Sequence, residues 1–167
     1  MVCVFGCGPA GNSVSERAAS LHRIDSLEAA YFETKATMGN PKTGMGLVRE
    51  YARFYQADGR DSLATDMLFK AGEVSMGIGQ GHLAVKYFKL ISGDHPEFEE
   101  AAEALFLCGF CSENLNADTA EARFYYEAFL KQFPEHHLVK DAQFSLLNMG
   151  RSDAELIEMF EEKLARE

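Results

Sequence analysis

The sequence predicts an all-α protein, and two features of its composition carry that prediction. Only four prolines occur in 167 residues, and the long intervals between them are rich in Ala, Leu, Glu, Phe and Met, which favour helices. No stretch shows the sustained alternation of apolar and polar residues, or the Asn-Gly turns, that are typical of strands and hairpins. We therefore expect helices throughout and no β-sheet.

The length and the net charge of the chain make some classes of function less expected than others. A chain of 167 residues with 47% apolar content is long enough for one domain with its own core. The 26 acidic residues against 16 basic ones give a net charge of -10, which repels phosphate backbones and anionic lipid head groups. Nucleic acid is therefore not an expected partner. The sequence also lacks an apolar run of about 18 residues, the length that could span a bilayer.

The first helix is predicted to follow an irregular amino-terminal segment. Residues 1–13 pass from a short apolar run to Gly, Pro, Asn and Ser, a composition typical of a flexible tether. A helical pattern then covers residues 15–37, with apolar side chains every three or four positions on one face. These side chains are Leu21, Ile24, Leu27 and Tyr31. We therefore expect a tether, residues 1–13, followed by a single helical domain, residues 14–167.

Two further helices precede the region in which the sequence repeats. The residues Gly39-Asn40-Pro41 end the first helix, because glycine and proline interrupt helical patterns. The second helix covers residues 43–56, and the turn residues Ala57-Asp58-Gly59-Arg60-Asp61 close it. The third helix covers residues 62–78.

An internal repeat is present from residue 66 onward. Residues 66–96 align with residues 103–134 at a glycine, an alanine, an aromatic residue and a proline. The aligned pairs are Gly72 with Gly109, Ala84 with Ala122, Phe88 with Tyr126, and Pro96 with Pro134. A third copy begins at Phe144, since Gly150 then matches Gly109. The spacing predicts repeated pairs of helices.

This pattern resembles the tetratricopeptide repeat, a helix-turn-helix unit of about 34 residues. The resemblance covers residues 42–167 and is clearest in the first complete copy, which also has Gly79 in its turn. It implies an α-α superhelix, a tetratricopeptide-like solenoid of antiparallel helix pairs with about seven helices.

The third copy lacks a full second half and is expected to end the array. Ser152 and Glu155 form a capping-box pattern at the start of a last helix. In that helix Ile157, Phe160 and Leu164 are expected to face inward. A terminal half-repeat of this kind closes the exposed end of a stacked array.

The family resemblance also implies a binding surface. In tetratricopeptide proteins the inner wall is lined by the second, fifth, ninth and twelfth residues of each first helix. The corresponding residues are Asp66, Phe69, Glu73 and Met76 in the first copy, and Glu103, Phe106, Phe110 and Glu113 in the second. Such a wall would bind a protein or peptide with apolar and basic residues. Two alternatives stay open: the carboxylates form a solvated acidic face, and the phenylalanines are buried against terminal helices.

The Cys-x-x-Cys pair at Cys108 and Cys111 is predicted to be part of the core. A free cysteine behaves as a small apolar residue, and a pair in the middle of a helix lacks the exposed helix N-terminus that activates redox thiols. No second Cys-x-x-Cys or suitably spaced histidines accompany the pair, so no metal site is expected. We also find no constellation of catalytic residues and no cofactor motif.

The amino terminus suggests a membrane anchor. Val4-Phe5-Gly6-Cys7 resembles the end of a bacterial lipoprotein signal, in which a small residue precedes the cysteine that is lipidated. Acylation of Cys7 would hold the helical domain at a membrane surface. The expected location is the cell envelope, as an outer-membrane lipoprotein facing the periplasm, and the alternative is the cytoplasm.

Together these patterns predict a non-catalytic interaction or scaffold module that resembles small bacterial envelope lipoproteins built from tetratricopeptide repeats. The alternative is a structural homo-oligomer assembled through the amino-terminal helix and its apolar face. A third hypothesis, a redox protein or enzyme using Cys108 and Cys111, requires a reactive thiolate.

Overall fold

The computed structural model describes residues 10–33, 40–57 and 61–164, and every regular element in these ranges is an α-helix. The all-α prediction is confirmed for this part of the chain. The helices in it are α1 (Ala10–Phe32), α2 (Pro41–Ala57), α3 (Ser62–Gly77), α4 (Gly81–Asp94), α5 (Ala101–Asn114), α6 (Thr119–Gln132), α7 (Val139–Asn148) and α8 (Asp153–Leu164).

The first helix starts earlier than its sequence pattern predicts. It begins at Ala10 and not at residue 15, so residues 10–13 are helical where an irregular tether was expected. The rest of the predicted tether, including Cys7, and the predicted helix end at residue 37 lie outside the described residues.

Side-chain caps set the starts of the next two helices. The Asn40 side chain accepts a hydrogen bond from the backbone N–H of Lys42 at 2.9 Å, and Pro41 occupies the first helical position, where its missing N–H costs nothing. Asp61 caps α3 by accepting from the backbone N–H of Leu63 at 3.1 Å. These caps satisfy backbone donors that the helices themselves leave unpaired.

The described residues separate into two compact units, one ending at Ile78 and the other beginning at Gly79. In the first unit α2 packs against both α1 and α3. Its largest buried side chains include Tyr51, Leu47, Val48, Leu68 and Ile24, each no more than 1% exposed. Gly44 allows the helices to approach, because a Cβ there would lie 2.9 Å from the Tyr31 ring and 2.8 Å from Ile78 Cγ2.

An ion pair also connects α1 with the residue that precedes α3. The Arg17 guanidinium pairs with Asp61 and lies 4.5 Å from the centroid of the Phe54 ring. Asp61 therefore binds a cation from α1 while its other carboxylate oxygen caps α3. The Arg17 guanidinium thus interacts with both a carboxylate and the face of an aromatic ring.

In the second unit α5 is the central helix, since it packs against α4 on one side and α6 on the other. Four of the aligned repeat residues are fully buried: Ala84, Ala122, Phe88 and Tyr126 are 0% exposed. From α4 to α7, each helix packs against the next one in the chain.

The close contact between α5 and α6 requires a glycine. A Cβ at Gly109 would lie 2.8 Å from Cδ1 and Cε1 of the fully buried Tyr126 ring. Real Cβ atoms do not approach other atoms so closely, so any larger residue would force the helices apart. The repeat-defining glycine at this position therefore has a direct packing cause.

The carboxy-terminal helix matches the sequence prediction at its cap but not along its face. The capping box is confirmed: the Ser152 backbone N–H donates to Glu155 Oε2 at 2.7 Å, and the Glu155 backbone N–H donates to Ser152 Oγ at 3.4 Å. The prediction that Ile157 faces inward is wrong, because this side chain is 59% exposed. The side chains of Phe160 and Leu164 lie outside the described residues.

The Gly109–Tyr126 contact yields a stability prediction. Gly109→Ala should lower the free energy of unfolding by about 1–3 kcal/mol, because the buried ring has no open space into which it can move. Urea denaturation followed by circular dichroism measures the change. Gly93→Ala is the matched control, since Gly93 is helical and a Cβ there meets no atom within 4 Å. The control should be neutral or stabilising by up to about 1 kcal/mol, and an equal loss in both variants would contradict the packing argument.

Candidate functional site

The four predicted inner-wall residues of the first copy lie on α3 and differ in exposure. Phe69 is 8% exposed and belongs mainly to the core, whereas Met76 is half-buried and Glu73 is exposed. The Asp66 side chain is 43% exposed, and its Oδ2 lies 3.6 Å from Lys70 Nζ. Of the apolar pair, Met76 thus has the more accessible side chain.

A groove in the first unit contains one of these residues. It has a volume of about 460 Å³ and is lined by Glu28, Tyr31, Phe32, Tyr51, Lys70, Glu73 and Val74. Tyr51 donates a hydrogen bond to Glu28 Oε1 at 2.5 Å, and Lys70 Nζ lies 3.5 Å from the same oxygen. Burial, reinforced by the neighbouring carboxylate, raises the pKa of Tyr51 well above its ordinary value. The groove therefore combines an aromatic surface with carboxylates that are already engaged in polar contacts.

The four predicted inner-wall residues of the second copy lie on α5, and packing against α6 positions two of them. The Phe106 ring centroid lies 5.5 Å from that of Tyr126 and 5.6 Å from that of Phe129. Glu113 Oε2 accepts a hydrogen bond from the Tyr126 hydroxyl at 3.0 Å. These contacts restrict the side chains of both predicted residues.

The remaining two α5 residues are more accessible. Phe110 is 38% exposed, and Glu103 is half-buried on the first turn of the helix. The structure therefore brings the eight predicted residues together as two sets, four on α3 in the first unit and four on α5 in the second.

Two exposed apolar residues on α7 were missed by the sequence prediction. Phe144 is 47% exposed and Leu147 is 68% exposed. The match of Gly150 with Gly109 is wrong, because Gly150 lies beyond the end of α7 with a positive φ of 83° whereas Gly109 lies inside α5. Aligning the first residues of the two helices, Ala101 and Val139, instead places Phe144 at the position of Phe106 and Leu147 at that of Gly109. Phe144 therefore occupies an inner-wall position, and Leu147 does not.

The sequence prediction also missed a second groove, which lies between α4 and α6. Its volume is about 680 Å³, and Val85, Leu105 and Tyr125, each no more than 7% exposed, form its apolar floor. Lys86 and Lys89 of α4 lie along one side, and Phe124 of α6, which is 65% exposed, lies on the other. No local motif marks this groove, because it arises from the packing of helices distant in sequence.

The cysteine pair is buried, as predicted. Cys108 and Cys111 are free thiols with 0% exposure, and Cys108 Sγ lies 3.8 Å from the backbone oxygen of Val85. Burial raises the pKa of Cys111 to about 12 and moves the pKa of Cys108 still further upward. A thiol with a raised pKa is mostly protonated at neutral pH and is therefore a poor nucleophile.

The described part of the chain has neither a metal-binding cluster nor a membrane-spanning helix. Within residues 10–33, 40–57 and 61–164, no group of three or more His, Cys, Asp or Glu side chains is arranged to hold a metal ion. None of the helices in the same ranges is both long enough and apolar enough to cross a membrane.

Comparison of the chain with protein-family models and with curated proteins gives no match. The resemblance to the tetratricopeptide repeat therefore rests on the aligned residues of the sequence.

Burial of the cysteines yields a prediction about thiol reactivity. In a Cys3→Ser/Cys7→Ser variant, Cys108 and Cys111 are the only thiols of the chain. Their raised pKa values leave far less thiolate at mildly alkaline pH than an ordinary cysteine, whose pKa is about 8.5. We expect slow alkylation by iodoacetamide in the native protein and complete alkylation in guanidinium chloride, both measured by mass spectrometry. Rapid native alkylation would contradict this prediction and revive the redox hypothesis.

Proposed function

We propose that this protein is a non-catalytic interaction module, similar to tetratricopeptide proteins, that binds a peptide or protein segment on the inner-wall positions of α5 and α7. The partner is an extended or helical segment with apolar residues and basic side chains. The proposed function requires no catalytic group, metal ion or cofactor.

A single observation carries the proposal: apolar side chains are exposed at inner-wall positions. Phe110 and Phe144 are 38% and 47% exposed, and each occupies an inner-wall position when α7 is aligned with α5 at their first residues. Exposing a large apolar side chain to water costs free energy, and exposed apolar patches often mark binding sites. Aromatic anchors of this type provide much of the binding energy at protein interfaces.

The charge of the surrounding helices supports a basic partner. Between Lys89 and Arg123 the sequence contains no Lys or Arg, while acids occur near both ends of α5 and in the turns beside it. Glu103 and Glu113 are both partly exposed on α5 itself. A negative surface attracts basic segments over long range and accelerates their association, an effect that salt screens.

The proposal includes attachment to the bacterial cell envelope through a lipidated Cys7, which lies outside the described residues. The domain then faces the periplasm from the outer membrane, where it presents its binding surface to envelope proteins. Support comes from the resemblance of Val4-Phe5-Gly6-Cys7 to a lipoprotein signal. Location in the cytoplasm remains the alternative.

Assembly of copies through the amino-terminal helix has less support. In that alternative Leu21, Ile24, Leu27 and Tyr31 of α1 would contact their counterparts in other copies. Ile24 is 1% exposed and Tyr31 is 8% exposed within the first unit, where α1 packs against α2. The alternative would require α1 to leave α2 and expose this core.

Peptide selection tests the binding proposal. A random peptide library displayed on phage is panned against the full chain, and we expect the selected peptides to combine basic and apolar residues. Phe110→Ala/Phe144→Ala should weaken binding of a selected peptide by about tenfold or more, measured by fluorescence anisotropy, because truncation removes apolar anchors.

Phe124→Ala provides the matched control for this experiment. Phe124 is also an exposed phenylalanine, at 65%, but it lies on α6 outside the inner-wall positions. The control should bind with unchanged affinity. Selection of acidic peptides, or equal binding by both variants, would refute the proposed site.

The anchor is tested separately in the organism that encodes the chain. Metabolic labelling with a fatty-acid analogue should label the wild-type protein and the Cys3→Ser variant but not Cys7→Ser. Only Cys7→Ser should also be lost from the membrane fraction, since lipidation is the proposed cause of attachment. An unlabelled wild-type protein would exclude the lipoprotein proposal and leave the peptide site unaffected.

A further inference from the structure

The groove between α4 and α6 has the shape and surface of a helix-binding site. Its floor consists of the buried faces of Val85, Leu105 and Tyr125, and Phe124 extends apolar surface to the outside at 65% exposure. Both bordering helices contain 14 residues, so each is about 21 Å long. An apolar channel of this length between two helices is suited to one face of a third helix.

The α4 side of the groove is basic. Lys86 and Lys89 lie one helical turn apart, both are exposed, and neither forms a salt bridge with a carboxylate of the described residues. The groove also contains Asp94 and Glu121, but Glu121 Oε2 already accepts a hydrogen bond from Ser112 at 2.9 Å. The groove therefore favours an occupant that combines apolar residues with carboxylates.

The helix α8 has that composition and has little contact with the rest of the chain. It contains five carboxylate residues and one lysine in twelve residues. Ile157 is 59% exposed, and in the sequence Phe160 and Leu164 follow it at a spacing typical of an amphipathic helix. Among the described residues α8 packs extensively against no other helix. An amphipathic helix with an exposed apolar residue needs a partner to bury that face.

We propose that α8 of one copy of this chain binds in the α4–α6 groove of a second copy. At about 18 Å, α8 is slightly shorter than the helices that border the groove. Its apolar face packs over Tyr125 and Phe124, and its carboxylates face Lys86 and Lys89. Among the side chains that the structure describes, none from α8 lines the groove of its own chain, and the occupant in this proposal comes from a partner copy. Reciprocal exchange of α8 then gives a closed two-fold dimer.

This dimer goes beyond the proposed peptide binding, because it uses neither the inner-wall positions of α5 nor those of α7. It also differs from assembly through α1, since the residues that make contact are all in the second unit. Each copy in the dimer would retain its own inner-wall surface, so the dimer would be bivalent toward a repeated partner.

Charge reversal on the two sides tests the proposal in the full chain. One variant is Lys86→Glu/Lys89→Glu, and the other is Glu158→Lys/Glu161→Lys, in which both altered α8 residues are exposed. Sedimentation velocity should show a wild-type dimer, and in each variant the dimer dissociation constant should rise by about tenfold or more. An equimolar mixture should restore the dimer, since each acidic α8 then meets a basic groove and each basic α8 meets an acidic one.

Two further variants complete the test. Ile157→Asp alters the exposed apolar residue and should also prevent dimer formation, whereas Lys131→Glu/Lys140→Glu changes the charge equally at exposed positions outside the groove and should not. Circular dichroism verifies that every variant is folded. A monomeric wild-type protein, a dimer insensitive to Lys86→Glu/Lys89→Glu, or a mixture that stays monomeric would each overturn the proposal. The last result is also the one expected if α8 binds its own chain.

Discussion

The packing of the Tyr126 ring against the backbone of Gly109 fixes the distance between α5 and α6, and much of the second unit depends on that distance. The same ring contacts Phe106, and its hydroxyl donates to Glu113. One buried side chain thus positions two of the four residues at the inner-wall positions of α5. The polar hydroxyl is satisfied at the edge of the core, which avoids the cost of an unpaired buried donor. A repeat position that serves helix packing therefore also orients the surface available for binding.

The cysteine pair contributes small side chains to the core around α5. Cys108 and Cys111 are both 0% exposed and pack there as small apolar residues. The Cys108 thiol lies against the backbone of α4, so the first cysteine packs at the α4–α5 contact. The i, i+3 spacing that resembles a redox motif arises here from helix geometry. This explains why the pair is free, protonated and buried in a chain for which no thiol chemistry is proposed.

The sequence was sufficient to predict the all-α fold, the burial of Cys108 and Cys111 and the capping box at Ser152, because each depends on local spacing or on a short-range hydrogen bond. Other features depend on which helices become neighbours. Phe69 occupies an inner-wall position by register yet is mostly buried, and Ile157 is exposed because α8 has no extensive packing partner among the described residues. The start of α1 at Ala10 was missed because Gly11, Asn12 and Ser13 each disfavour a helix by no more than about 1 kcal/mol, which is too little to end one. The α4–α6 groove could not be predicted, since its two sides are more than thirty residues apart in the chain.

The complete burial of Cys108 and Cys111 protects these thiols only after the chain has folded. Their protection comes from the native packing of α5, and an unfolded chain exposes both thiols at the ordinary pKa of cysteine. In an oxidising compartment, disulfide formation between Cys108 and Cys111, or between two unfolded chains, then competes with collapse of the core. Rapid formation of local helix pairs favours the native outcome of that competition, because most contacts of α5 are made with the helices next to it in sequence. The order of folding and oxidation thus determines whether these cysteines end as core residues or as cross-links.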